Sequence, residues 1–422
     1  MKGNFFMKLK KIIPAITALL MLSACTGAEN SDSSAVPEET TTICETETTT
    51  KAPETPEEFH QAMVDRSLYS VGNPSRLKAK MEQARSGEKT TIAYIGGSIT
   101  EGVGTTADTC YARLSYEAFR DSYGTGDNVE YVNAGLSGTP SNLGVLRAER
   151  DILSAKPDVV FIEFAVNDGQ DDIAKESYES LVRTVLEQDN QPAIILLFNV
   201  IESGYTAQAH MKQIGEHYAL PMVSAADALT PEFEEGRMTW KYYSNDQSHP
   251  NTEGHKLLCE FISNLYSVAE NSDDTAEYEL PAAPKFGTAY KNAAMATPET
   301  ENEKITVTST GSFEAVQSGT SGFPCSWEYK GGSEPLKLST RANSLFVIYK
   351  RNNTAAMGSF DVYLNGAKLK TVNTMQSDGW GEAFSQQIIK FSEAKDMEIE
   401  IVPSEGNGDK AIQILGFAVC EN

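Results

Sequence analysis

The sequence has few basic residues, and this shortage narrows the choice of partner. It contains 35 lysine and arginine residues against 59 aspartate and glutamate residues, which gives a formal net charge of −24 at pH 7. Nucleic-acid binding depends on clustered lysine and arginine side chains that neutralise phosphate groups. The composition therefore argues against a nucleic-acid partner and favours a neutral substrate.

Cysteine is also scarce, with six residues in a chain of 422 and no CxxC motif. A metal cluster built from paired cysteines is therefore not expected. An exported protein could form a bridge between Cys325 and Cys420. The scattered spacing and the odd number of cysteines beyond Cys25 favour buried free thiols instead.

The apolar run near the start of the chain, Ile12 to Leu22, is too short to span a membrane. Lys8, Lys10 and Lys11 lie just before it, as in an export signal. The residues from Leu22 to Cys25 then resemble a bacterial lipobox. This resemblance implies that residues 1–24 are a signal peptide, that Cys25 is acylated, and that lipid anchors the protein to the extracellular face of the bacterial cell membrane. An ordinary cleaved export signal is the alternative.

Residues 25–58 are rich in threonine, serine, glutamate and proline and contain almost no apolar side chains. Such a segment cannot bury enough apolar surface to offset the entropy cost of ordering. We expect it to be a disordered tether between the membrane and a folded protein.

Residues 59–270 alternate short apolar runs with amphipathic stretches, which predicts a parallel sheet covered by helices. Uninterrupted apolar runs such as 194–198 are typical of strands buried on both faces. The expected strands are Thr91–Ile95, Val129–Asn133, Val159–Phe164, Ile194–Asn199 and Met222–Ser224. The expected helices are Pro74–Ser86, Cys110–Tyr123, Asn142–Ala155, Tyr178–Gln188, Ala207–His217 and Thr252–Val268.

The character of the sequence changes after a polar, proline-containing segment at residues 271–303, which we interpret as a linker. Residues 304–422 contain short β-type runs between glycine and asparagine turns. Asn365 and Gly366 give the clearest turn, because Asn-Gly favours a two-residue hairpin. An all-β, jelly-roll-like sandwich is the expected fold of this second domain.

Small and polar residues follow three of the predicted strands. Ser98 comes directly after two glycines at the end of the first strand, Gly135 and Gly138 lie in the turn after the second, and Asn167 follows the third. Ligands of open α/β sheets bind at this carboxyl edge. No lysine follows the glycines before Ser98 as a phosphate-binding loop requires, so the pattern favours a serine nucleophile.

One histidine has a setting suited to catalysis. A serine hydroxyl needs a base with a pKa near 7 to become a nucleophile, and histidine is the natural one. His249 directly precedes the last predicted helix and has Asp246 three residues before it. His60 borders the tether, and His255 lies one turn into the last predicted helix. His210 and His217 lie on a helix that we expect at the surface. We predict that His249 is the base for Ser98 and that Asp246 orients its imidazole.

These blocks, in this order and at these spacings, resemble the SGNH branch of the GDSL hydrolases over about half of the chain. The resemblance implies a flavodoxin-like three-layer α/β/α fold and a mechanism without metal or cofactor. It carries over to Ser98, Gly138, Asn167 and His249, with Asp246 as the acid of the triad. In that family the serine N–H, the glycine N–H and the asparagine amide bind the oxyanion, and here Gly135 is the alternative to Gly138.

The first block departs from the common family pattern. It reads Gly97, Ser98 and Ile99 where glycine, aspartate and serine are usual, and this version resembles a carbohydrate-esterase subset of the family. The resemblance implies removal of acetyl groups from a plant-wall polysaccharide or oligosaccharide such as xylan or mannan. Trp327 and Trp380 are candidate sugar platforms, with core packing as the alternative. The alternative functions are a lipase or thioesterase and a non-catalytic carbohydrate-binding lipoprotein.

Overall fold

The computed structural model describes residues 52–421, and its first sheet lies in the N-terminal half. The strands are β1 (Leu68–Ser70), β2 (Thr90–Gly96), β3 (Val129–Gly135), β4 (Val159–Glu163), β5 (Ala193–Phe198) and β6 (Met222–Ser224). Their order is β1-β6-β5-β4-β2-β3, and every neighbouring pair is parallel except β1 with β6. All five predicted strands are present. The edge strand β1 was not predicted.

Helices cover both faces of this sheet. They are α1 (Pro56–Ser67), α2 (Ser75–Arg85), α3 (Ser98–Glu101), α4 (Tyr111–Tyr123), α5 (Ser141–Asp151), α6 (Asp172–Leu186), α7 (Gln208–His217), α8 (Ala225–Glu234), α9 (Trp240–Tyr243) and α10 (Thr252–Glu270). Within β2, Ala93 and Ile95 pack with α5, α6 and α7, whereas Ile92 and Tyr94 pack with α2, α4 and α10. Because successive strand residues point to opposite faces, both faces are apolar. The predicted three-layer α/β/α fold is confirmed.

The first helix begins inside the segment predicted to be a tether. The Thr55 hydroxyl accepts the Glu58 N–H, and the Glu58 carboxylate accepts the Thr55 N–H in return. This capping box, with Pro56 at the first helical position, stabilises the helix start. Residues 25–51 of the predicted tether, including Cys25, and the predicted signal peptide lie outside the described residues.

The second domain is built from antiparallel strands. They are β7 (Ala294–Ala296), β8 (Ile305–Ser309), β9 (Phe313–Val316), β10 (Ser326–Tyr329), β11 (Leu336–Asn352), β12 (Ser359–Leu364), β13 (Ala367–Asn373), β14 (Trp380–Pro403) and β15 (Gln413–Cys420). The long strand β11 pairs with β8 through its first half and with β15 through its second half, and it pairs with β14 along most of its length. Apolar side chains of both halves share one core. The predicted all-β second domain is confirmed.

The hairpin between β12 and β13 turns at Asn365 and Gly366, which have φ angles of 49° and 80°. Both residues occupy the left-handed region that a tight two-residue hairpin requires. The Asn-Gly prediction is therefore confirmed.

Residues 271–303, which the composition presents as a linker, are packed against both domains. Tyr290 is fully buried, its N–H donates to Ser180 of the first domain, and its ring packs against Phe346 of the second. The segment also supplies β7, which pairs with β15. Its few apolar residues are separated by prolines and polar residues, so no periodic pattern reveals this packing.

The two domains share an apolar interface formed largely by β11 and β15. Leu345 and Val347 face the core of the β domain, whereas Phe346 and Ile348 pack with residues of the α/β domain. Both faces of this strand segment are therefore buried. The domains belong to one compact unit.

The four cysteines among residues 52–421 are free thiols, so Cys325 and Cys420 do not form the bridge that export would permit. Of the helices in this part of the chain, none is long and apolar enough to cross a membrane.

Candidate active site

Ser98 begins the one-turn helix α3 at the carboxyl end of β2, and two glycines allow this turn. A Cβ atom on Gly96 would lie 2.1 Å from the Thr100 hydroxyl oxygen. A Cβ atom on Gly97 would lie 2.2 Å from the Asn167 amide oxygen. Any side chain at either position would therefore push the turn away from its neighbours.

The strand order brings the predicted site residues together. β3 lies on one side of β2 and β4 on the other. The connection from β2 to β3 and the connection from β3 to β4 therefore run across the sheet in opposite directions. Such a reversal opens a crevice at the carboxyl ends of the strands. Ser98 follows β2 and Asn167 follows β4, so both residues border this crevice.

Ser98, His249 and Asp246 form a continuous hydrogen-bonded chain. The Ser98 Oγ to His249 Nε2 distance is 2.9 Å, and the His249 Nδ1 to Asp246 Oδ2 distance is 2.8 Å. An ionised Asp246 can only accept, so Nδ1 carries the proton and Nε2 is left to accept the serine proton. The three predicted residues are thus arranged as a nucleophile, a base and an orienting acid.

The loop that carries Asp246 and His249 is fixed by its own hydrogen bonds. Asp246 Oδ1 accepts the N–H groups of Ser248 and His249, each at 2.7 Å, and the Ser244 hydroxyl lies within bonding distance of the carbonyl oxygens of both Asp246 and His249. Partial burial tends to raise the pKa of Asp246, but these N–H groups and the His249 ring outweigh it and hold the pKa below its usual value. Asp246 therefore stays ionised at neutral pH.

The other four histidines are engaged away from Ser98. Burial lowers the pKa of both His210 and His255 to about 4, and His255 Nδ1 accepts the Tyr111 N–H. His60 pairs with Glu260, and His217 contacts a backbone carbonyl. His210 is buried, although the sequence pattern had placed it on a surface helix.

The geometry favours Gly138 over Gly135 as an oxyanion donor. The Gly135 N–H already donates to the Asn133 side chain at 2.9 Å. The Gly138 N–H forms no hydrogen bond to any other residue in the range 52–421. Gly138 has a φ of +70°, which suits a residue without Cβ and leaves its N–H free for a ligand.

Ser98 and Asn167 border the same crevice. The Ser98 N–H is the first of helix α3 and has no intrahelical acceptor. Asn167 packs its amide against Gly97, and the amide oxygen has no partner among the described residues. The structure thus brings together all the residues that the resemblance assigned to an oxyanion hole.

Sequence analysis did not identify two carboxylates that accept backbone N–H groups on either side of Gly138. Glu101 accepts the Ser137 N–H at 2.8 Å, next to Gly138. Asp168 accepts the Ser141 N–H at 2.6 Å and is buried, with 1% of its surface exposed. Burial raises the pKa of Asp168 to about 7. Both are acidic residues next to a motif, a signal too common in sequences to single them out.

The second domain contributes Trp380 to the crevice. A Cβ atom on Gly138 would lie 2.9 Å from the Trp380 ring, and Trp380 is 58% exposed. Trp327, the other candidate platform, is buried against Phe417 and serves the core. Tyr242, which precedes the His249 loop, is 51% exposed.

A cavity of about 430 Å³ lies between the domains and reaches Asn167. Its lining combines apolar side chains with hydrogen-bonding groups from both domains, including Asn142, Ile173, Phe384 and Gln386. Within residues 52–421, no three His, Cys, Asp or Glu side chains are grouped so as to hold a metal ion.

Comparison with protein families finds a match between residues 94–257 and the GDSL-like Lipase/Acylhydrolase family. The matched range contains the full set of site residues, Ser98, Gly138, Asn167, Asp246 and His249. Residues 94–257 are therefore similar to this family. A comparison with curated protein sequences finds no match.

Similarity to solved structures extends beyond residues 94–257 and covers most of both domains. A two-domain esterase active on acetylated mannans is 27% identical with a TM-score of 0.76, and the match covers 85% of this chain and 99% of that one. The structure of such an esterase co-crystallised with mannopentaose is 27% identical with a TM-score of 0.74, covering 85% and 98%. The arrangement of an α/β domain followed by a β domain is common to all three.

Proposed function

We propose that this protein is a serine esterase that removes acetyl groups from plant cell-wall polysaccharides, with acetylated mannan as the preferred class. The observation that carries the proposal is the hydrogen-bonded chain from Ser98 through His249 to Asp246. A serine in such a chain is activated for attack on an ester carbonyl. The free N–H of Gly138 provides a matching site for the oxyanion.

In the first half of the reaction, His249 Nε2 takes the Ser98 proton while Ser98 Oγ attacks the acetyl carbonyl carbon. The carbonyl oxygen becomes an oxyanion that accepts hydrogen bonds from the Ser98 N–H, the Gly138 N–H and the Asn167 amide. His249 then gives its proton to the departing sugar oxygen, and the acetyl group stays on Ser98. Asp246 stabilises the imidazolium that forms in between.

In the second half, water loses a proton to His249 and attacks the acetyl carbon of the acyl-enzyme. The same donors bind the second oxyanion. The bond to Ser98 Oγ breaks, acetate leaves, and the proton on His249 returns to Ser98. Each cycle thus consumes one water and yields acetate and a free sugar hydroxyl.

Trp380 supports a sugar as the alcohol part of the ester. Its exposed ring lies against Gly138, whose N–H would bind the acetyl oxygen, so a sugar that carries this acetyl group would meet the ring. Flat apolar rings bind the apolar faces of other rings by stacking. The similarity to a two-domain esterase active on acetylated mannans supports mannan over xylan.

The lining of the cavity beside Asn167 supports a sugar over a long acyl chain as its occupant. A lipase or thioesterase needs a broad apolar pocket for its acyl chain. Here Asn142, Asp171 and Gln386 interrupt the apolar lining, and these groups suit sugar hydroxyls.

The test compares ester hydrolysis on acetylated mannan, acetylated xylan and an octanoyl aryl ester. We expect acetate release from mannan to be fastest and octanoate release to be slowest. Faster octanoate release would support the lipase alternative, and no release from any substrate would support a carbohydrate-binding lipoprotein.

We also propose that lipid on Cys25 anchors the enzyme to the extracellular face of the bacterial membrane. The lipobox-like residues from Leu22 to Cys25 support this proposal. Cells fed a labelled fatty acid should label the parent protein but not the Cys25→Ser variant. Equal labelling of both proteins would contradict it.

A further inference from the structure

Glu163 at the end of β4 is a buried carboxylate that the reaction steps above do not use. It is 0% exposed, and one of its carboxylate oxygens, Oε1, has no hydrogen-bond partner among residues 52–421. Burying an acid without a cation is unfavourable. Because Glu163 lies next to the Ser98 turn, a role at this turn would explain why an unfavourable buried acid is present.

Glu163 holds the Ser98 turn on both sides. Its backbone carbonyl accepts the Gly97 N–H at 3.3 Å, one residue before Ser98. Its Oε2 accepts the Thr100 hydroxyl at 3.2 Å, two residues after Ser98. The Thr100 oxygen also lies 2.8 Å from the Tyr111 hydroxyl. With Thr100 donating to Glu163, Tyr111 donates to Thr100, so each oxygen in the chain has a consistent role.

Among residues 52–421, polar and acidic groups surround Glu163, and no cation pairs with it. The groups that face it from every packed element are Thr100 of α3, Tyr111 of α4, Tyr178 of α6, Asn199 after β5, Tyr243 of α9 and Asp168 after β4. Burial raises the pKa of Glu163 to about 7, although the hydrogen bond from the Thr100 hydroxyl to its carboxylate opposes the rise. Thr100 is also fully buried, so its hydroxyl has few other partners.

We propose that Glu163 and Thr100 are positioning residues that fix the direction of the Ser98 hydroxyl toward His249. The inference rests on the proposed role of Ser98 as the nucleophile. Gly97 and Thr100 bracket Ser98, so movement of either end of this segment would lengthen the 2.9 Å bond to His249. Small displacements of a reacting group are costly in rate, because attack requires a near-ideal approach.

Two matched pairs of variants test this inference with an aryl acetate substrate. Thr100→Val removes the hydroxyl and keeps the shape, whereas Thr100→Ser keeps the hydroxyl. Glu163→Leu removes the acceptor, whereas Glu163→Gln keeps an oxygen that accepts from Thr100. We expect Thr100→Val and Glu163→Leu to lower kcat about ten- to hundredfold with little change in KM. The serine and glutamine variants should stay within about threefold of the parent.

The rate at which a serine-reactive phosphonate labels Ser98 should rank the four variants in the same order as kcat. Their unfolding temperatures should not follow this order. Parent-like kcat and labelling in Thr100→Val would overturn the inference, as would losses that simply follow unfolding temperature in all four variants. If Glu163→Leu does not fold, the threonine pair decides. The Ser98→Ala variant separates the two proposals. If it retains activity, Ser98 is not the nucleophile. If it is inactive while Thr100→Val is unaffected, only the positioning role is refuted.

Discussion

Replacement of Trp380 by alanine should weaken action on acetylated oligosaccharides and spare small esters. A tryptophan side chain presents about 250 Å² of surface, and Trp380 is 58% exposed. One ring face is about half of the exposed part, or about 70 Å². Covering this area with a sugar contributes about 1.8 kcal/mol at about 25 cal/mol per Å², equivalent to about twentyfold in affinity.

The assay measures kcat/KM of Trp380→Ala on acetylated mannooligosaccharides and on an aryl acetate. We expect about a twentyfold loss on the oligosaccharides, mainly through KM, and a change of about twofold or less on the aryl ester. Tyr69→Ala is the control, because Tyr69 is an exposed aromatic on β1, at the edge of the sheet opposite β3. Equal losses on both substrates, or no loss on the oligosaccharides, would refute the assignment of Trp380 to sugar binding.

Three further predictions concern the triad, the oxyanion site and the buried acid. Asp246→Asn should lower kcat about 10²- to 10⁴-fold at pH 8, because an amide does not stabilise the imidazolium; a parent-like kcat would show that the acid is dispensable. Gly138→Ala should lower kcat on an aryl acetate at least about tenfold, since the new methyl group meets Trp380. Gly126→Ala is its control, with a similar φ of +67° and open space around it, and equal effects of the two changes would argue against an oxyanion role. Glu163→Gln should raise the unfolding free energy at pH 8 by up to about 3 kcal/mol, but not at pH 4. The folded-state pKa is raised from 4.5 to about 7, so stability present below pH 4.5 is lost as pH rises through 7. Urea unfolding at both pH values checks this, and a difference independent of pH contradicts it.

The α/β fold was predictable because the apolar runs in the sequence of its central strands indicate that these strands are buried. Strands β2, β4 and β5 are buried at every position, and their apolar runs have the length of single strands. The short edge strand β1 and the packed segment 271–303 were not predictable. Their burial depends on contacts with elements distant in sequence, which no local pattern records.

The candidate site was predictable where its residues belong to short sequence motifs. Asp246 and His249 lie three residues apart, and Ser98 follows two glycines, so short motifs marked them. The choice of Gly138 over Gly135 required the hydrogen bond that occupies the Gly135 N–H. The position of Trp380 against Gly138 follows from the packing of the second domain on the first, and the sequence could offer it only as one of two candidates.

The measurement that tests the central claim most directly is acetate release from acetylated mannan by the parent protein and its Ser98→Ala variant. The two proteins are compared at equal concentration, after their unfolding temperatures have been found equal. The account predicts steady release by the parent and at least about a thousandfold slower release by the variant. Equal release by both proteins, or none by the parent, would contradict it.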